Sequence, residues 1–90
     1  MIRSLVILGS TGSIGTQALE VCQEFGIEVR ALACHSQVDL LYDQIQTYRP
    51  LSVAVSDPEA SSRLTERLRS TTGAYSCPVR SGHRAVIELA

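Results

Sequence analysis

The chain has 90 residues, eight basic against nine acidic, a formal net charge of −1 at pH 7, and 44% hydrophobic with 19% charged residues. That length suits one small globular domain and is too short for two. The charge balance leaves no basic excess to neutralise a nucleic-acid backbone, and the longest apolar stretch falls far short of the roughly 20 residues that cross a bilayer.

Met1-Ile2-Arg3 leads straight into an apolar run rather than a signal peptide, so a cytoplasmic chain is expected, with neither nucleic acid nor membrane among its partners. Ile2 to Leu8, broken only by Arg3 and Ser4, suits a strand buried on both faces of a parallel sheet. It empties into Gly9-Ser10-Thr11-Gly12-Ser13-Ile14-Gly15. Ile14, Ala18, Val21, Cys22 and Phe25 then recur at helical spacing as one apolar stripe, and Gly26 is a natural C-terminal stop. Glu28 to Cys34 reads as a second strand. Val38, Leu41, Ile45 and Tyr48 predict a helix over 38–48 that ends before Pro50.

Leu51 to Val55 is a short strand, and Asp57-Pro58-Glu59 is a helix start with Asp as N-cap and Pro at the first helical position. Leu64 and Leu68 of that helix face inward, Glu59 and Arg63 can pair at i, i+4, and Arg63, Arg67 and Arg69 read as a solvated face. Ser70 to Gly73 is a loop and Cys77 to Arg80 a weak strand. Ser81-Gly82 enters a last helix through Ala85, Val86 and Leu89, with His83 at the surface. That helix has no stop signal before Ala90, which predicts a truncated domain.

Strands alternating with helices predict an α/β chain: a Rossmann-like parallel sheet with right-handed crossovers and flanking helices, doubly wound if the helices fall on both faces. Ligands of such sheets bind beyond the C-terminal strand ends, here residues 9–15, 35–37 and 56–57. Cys22, Cys34 and Cys77 cannot all pair and form no CxxC, so they read as reduced thiols, two of them in the core. His35 lies beside Cys34, but no second pair has ligand spacing, and no metal site is expected.

The three glycines at intervals of three mark a phosphate or dinucleotide cradle. Gly9 allows the sharp exit from the strand, Gly12 lets a phosphate come close, and Gly15 lets the helix pack tightly. The spacing is GxxGxxG rather than the commoner GxGxxG. Thr11 and Ser13 add hydroxyl donors, and the helix N-terminus adds roughly half a positive charge. A P-loop fails on chemistry, because it needs a lysine for the phosphates and this chain has none. At the end of the second strand an acid would select NAD; His35-Ser36-Gln37 stand there instead, so NADP is favoured. Asp39 falls beyond the strand end and Glu28 at its opposite end.

The string Ile7 to Gln17 (ILGSTGSIGTQ) resembles the N-terminus of 1-deoxy-D-xylulose 5-phosphate reductoisomerases, enzymes of non-mevalonate isoprenoid synthesis. Similarity continues through Arg30-Ala31-Leu32, Tyr48-Arg49-Pro50, Ser56-Asp57-Pro58-Glu59-Ala60 and Ser81-Gly82. The resemblance implies that Thr11, Gly12, Ser13 and Ile14 contact the NADPH diphosphate and that the 35–37 turn meets the 2′-phosphate, with Gln37 where Asn is usual and His35 where Gly is common. It also implies an oxidoreductase that is a homodimer at full length and uses magnesium or manganese, held by downstream carboxylates with no counterpart here. Residues 1–90 are then the N-terminal part of an NADPH-binding domain, without catalytic or metal-ligating residues and inactive alone. Two alternatives are another NADP-dependent oxidoreductase, such as a semialdehyde dehydrogenase with a catalytic Cys, and a non-enzymatic nucleotide-binding remnant.

Overall fold

Apolar runs rich in Val, Leu and Ala, punctuated by Gly, Pro and Asp, give the chain its alternation of short strands and amphipathic helices. The computed structural model describes residues 4–82 and 84. Its elements are β1 (Ser4–Leu8), α1 (Ser13–Phe25), β2 (Glu28–Cys34), α2 (Val38–Tyr48), β3 (Ser52–Val55), α3 (Pro58–Ser70) and β4 (Val79–Ser81). Met1 to Arg3, His83 and the expected last helix through Ala85, Val86 and Leu89 lie outside the described residues.

All strand pairs are parallel, in the order β1-β2-β3-β4. Because every step along the sheet goes the same way, right-handed crossovers carry α1, α2 and α3 to one face. There Leu19 and Cys22 of α1, Leu41 and Ile45 of α2, and Leu64 and Leu68 of α3 share one core with Ile7, Leu32, Cys34, Val53 and Val55 of the sheet. The parallel Rossmann-like sheet is as expected; the described helices are singly, not doubly, wound.

Local signals act where the sequence puts them. Gly26 closes α1 at φ 66°, its N–H bonding Cys22 O. Asp57 caps α3 by accepting from the Ala60 N–H at 3.1 Å, with Pro58 in the first turn. Cys22 and Cys34 are buried free thiols, and Cys77 is half-buried.

Three expectations are corrected. β1 is an outer strand whose one buried residue is Ile7, and Leu8 is 48% exposed, so it is not buried on both faces. Nothing among the described residues pairs with its outer edge. In α1 the expected stripe holds only in part: Cys22 is buried and Ala18 packs on the core, but Ile14, Val21 and Phe25 are exposed, and Gly15 and Leu19 are buried instead. Neighbouring residues lie about 100° apart around a helix, so a one-residue change of phase selects a different face. On α3, Glu59 and Arg63 do not pair; Arg67 instead bonds Asp39 at 3.1 Å and stacks 3.9 Å over the Tyr42 ring, tying α3 to α2.

The irregular segment between α3 and β4 is anchored by a reciprocal amide pair. Gln46 Nε2 donates to Tyr75 O and the Tyr75 N–H donates to Gln46 Oε1, both at 2.8 Å, while the Tyr75 hydroxyl donates to Pro50 O at 2.6 Å.

The phase of α1 has a direct test. Leu19→Ala is expected to cost about 2–5 kcal/mol by chemical denaturation, whereas Phe25→Ala changes stability by less than about 0.5 kcal/mol. Comparable losses at both positions contradict the observed orientation.

Candidate functional site

The turn between β1 and α1 is shaped by its glycines. Gly9 sits at φ 69°, in the left-handed region that side chains rarely adopt. Gly15 has an ordinary helical role but no room: a Cβ there would lie 2.2 Å from Gly9 O and 2.7 Å from Ser10 Cα. Its contact is therefore with the turn itself rather than with the strand. Gly12 is looser, its added Cβ meeting Gly9 O at 3.4 Å, an ordinary contact. The case for glycine at 12 rests on what approaches from outside.

The turn is fixed from behind. Ser10 is fully buried; its N–H donates to Ala33 O of β2 at 2.9 Å, and its carbonyl accepts from Gln44 Nε2 of α2 at 2.7 Å. Gly12 N–H closes back onto Gly9 O at 3.0 Å. Toward solvent the picture reverses. Gly12 caps α1 without a side chain, no acid lies in the first turn, and the amides of Thr11, Ser13, Ile14 and Gly15 have no hydrogen-bond partner. The hydroxyls of Thr11 and Ser13 make no hydrogen bond as donors either. By contrast α3 spends an aspartate on its own first turn. Open amides plus an uncompensated helix dipole form a seat for an anion.

Beside this turn a groove of about 630 Å³ runs along β1 and the start of α1, between Leu5, Val6, Leu8, Gly12, Ile14 and Ala18. Of the expected cofactor residues, Thr11, Gly12, Ser13 and Ile14 are contiguous at this seat. Gln37 stands apart, exposed at the N-cap of α2, where its carbonyl accepts from the Leu41 N–H at 3.0 Å and its side chain caps nothing. The parallel register brings the two loops to the same sheet edge, Leu8 standing opposite Ala33.

The β2 and β3 loops are joined at that edge. His35 Nδ1 and Ser56 Oγ share a 2.6 Å hydrogen bond, and the Asp57 N–H donates to His35 O at 3.0 Å. The nearby carboxylates are engaged elsewhere, Asp57 in its cap and Asp39 with Arg67. No acid therefore stands at 35–37. Burial pushes the Cys34 thiol up to about 11, only partly offset by the Gln37 backbone N–H, so at neutral pH it is protonated and poorly nucleophilic. Among the described residues no three His, Cys, Asp or Glu side chains come together as metal ligands.

Sequence reasoning missed Gln44. The available signal was an amide on the same helix face as Val38, Leu41 and Ile45, where an apolar residue is the rule.

A family model for 1-deoxy-D-xylulose 5-phosphate reductoisomerase matches residues 5–90. A reductoisomerase of that name from Helicobacter pylori strain G27 is 47% identical over 60 residues, 67% of this chain and 16% of the relative. One from Acetivibrio thermocellus is 44% identical over 71 residues, 79% of this chain and 19% of the relative. The chain thus spans less than a fifth of either relative. Among solved structures, the Zymomonas mobilis reductoisomerase in complex with NADPH superposes with a TM-score of 0.82 at 26% identity, over 99% of this chain and 23% of that one. A reductoisomerase in complex with NADPH, fosmidomycin and magnesium gives 0.83 at 29% identity, over 97% and 21%.

The different constraints on two glycines are separable. Gly15→Ala is expected to destabilise the fold by about 1–3 kcal/mol, because backbone must move, while Gly12→Ala stays within about 1 kcal/mol of the parent. Thermal melts of both variants check this; equal melting temperatures speak against the close approach.

Proposed function

This chain belongs to the 1-deoxy-D-xylulose 5-phosphate reductoisomerase family, and on that footing we propose that it supplies the NADPH-binding segment of such an enzyme. The carrying observation is the seat at the head of α1: four unpartnered amides and two unengaged hydroxyls above a turn immobilised from behind. Thr11, Gly12, Ser13 and Ile14 line the diphosphate: the N–H groups of Thr11, Ser13 and Ile14 donate to it, with Thr11 and Ser13 hydroxyls as added donors, while the Gly12 N–H stays on Gly9 O. Gly12 keeps the approach open.

The 35–37 loop meets the adenosine ribose. A 2′-phosphate is accepted there because no carboxylate repels it, and the Gln37 side-chain amide and the His35 ring offer donors. These two loops fix one dinucleotide at both its diphosphate and its ribose end. When bound, the cofactor supplies hydride for reduction of a carbonyl. The remaining chemistry of the family, skeletal rearrangement on a divalent metal, is assigned to no residue of this chain. A cytoplasmic setting and a homodimeric whole enzyme complete the proposal.

The reading is tested by titration monitored through NADPH fluorescence. NADPH is expected to bind saturably and at least about tenfold more tightly than NADH, and Gly12→Ala to weaken NADPH by about tenfold or more without loss of fold. Equal affinity for NADH removes the assignment of the 35–37 loop. Mixed with NADPH, magnesium and 1-deoxyxylulose 5-phosphate, the chain alone is expected to show no steady NADPH consumption; sustained turnover contradicts the division of labour.

A further inference from the structure

We infer that Gln44 is a positioning residue for the diphosphate seat, an inference that rests on the NADPH reading above. Gln44 lies 34 positions from Ser10 in sequence, on the buried face of α2, and its Nε2 donates to Ser10 O at 2.7 Å. Ser10 is thereby held through both of its flanking peptides, at its N–H by Ala33 of β2 and at its carbonyl by α2. The peptide that carries the Ser10 carbonyl also carries the unpartnered Thr11 N–H, and the Ser13 and Ile14 amides follow it. Among the described residues that carbonyl has one hydrogen-bond partner, Gln44, so the Thr11 N–H on the same peptide takes its direction from α2.

A merely structural pin fits the site poorly. Gln44 is 6% exposed, yet its Oε1 has no partner, and neither has the buried Ser10 hydroxyl. Leaving a buried amide oxygen unpaired is destabilising, and an apolar side chain on this face would avoid it. The amide's one satisfied contact is with the turn. Local rules broken at a cost in stability are characteristic of functional positions.

The contact also joins the two halves of the proposed site. Gln37, at the N-cap of α2, belongs to the loop assigned to the 2′-phosphate, and Gln44 sits on the same helix, two turns further on. One rigid helix therefore carries the ribose loop at its start and grips the diphosphate turn from its middle. Gln44 sets the offset between the two, matched to a ligand that must touch both.

The test compares ligands with and without the diphosphate. In Gln44→Met, which keeps length and removes the donor, NADPH affinity is expected to fall by on the order of tenfold, while adenosine 2′-monophosphate stays within about twofold of the parent. Equal weakening of both ligands indicates general loosening and overturns the inference, as does unchanged NADPH affinity. If the variant does not fold, the parent chain decides: a through-hydrogen-bond NMR coupling from Gln44 Nε2 to the Ser10 carbonyl is expected, and it persists with NADPH bound. Its absence overturns the inference. A parent chain that binds adenosine 2′-monophosphate and NADPH equally leaves no diphosphate seat and removes the cofactor reading together with this one. A parent that prefers NADPH beside an unaltered Gln44→Met removes this inference alone.

Discussion

The approach of α1 to the turn that precedes it governs the rest of the structure. With hydrogen in place of a side chain at Gly15, the helix backbone closes to a distance at which a Cβ would stand 2.2 Å from Gly9 O. That contact fixes the rotation of α1, so Leu19 and Cys22, which follow Gly15 on its face, enter the core between β1 and β2. It also fixes the direction of the helix axis relative to β1, and with it the place where the helix dipole emerges. Packing and the placement of the unpartnered amides have one geometric cause.

Much of this was legible in the residues, for reasons that differ by element. Gly9 and Gly26 announce left-handed backbone, and Asp57-Pro58 announces a helix start, because each depends on the conformational limits of the residue itself. The bounds of α2 follow from apolar spacing and the proline after it. The orientation of α1 was only partly legible, since Cys22 belongs both to the stripe Ile14-Ala18-Val21-Cys22-Phe25 and to Gly15-Leu19-Cys22, and both are sound helical stripes. Choosing between them needs the position of the sheet. The contact at Gly15 supplies it.

The same division holds at the site. Thr11 to Ile14 could be picked out because glycine spacing is local, whereas Gln44, Arg67 and Tyr75 act over separations of 34, 28 and 29 residues. Nothing in a linear pattern links a buried amide to a carbonyl on another element. Arg67 illustrates the point: read as one of three solvated arginines, it lies over the Tyr42 ring and holds Asp39, so an acid just beyond the 35–37 loop is paired. The neutrality of the 35–37 edge is thus a tertiary property as well as a feature of sequence.

The turn faces two environments, and this asymmetry is what makes it suited to a charged ligand. Ser10 and Gly15 are buried and held by β2, α2 and the turn's own backbone, while Gly12, Ser13 and Ile14 are exposed. A loop that must order itself around a phosphate forfeits affinity to lost conformational freedom, on the order of 1–2 kcal/mol per backbone residue fixed. Here that entropy is lost when the sheet and helices fold, before any ligand arrives. The amides are unpartnered in advance and cannot turn inward to find acceptors, because the peptides behind them are already bonded. Rigidity on one side and unsatisfied donors on the other are therefore one arrangement, set by two glycines, a strand carbonyl and an amide from α2.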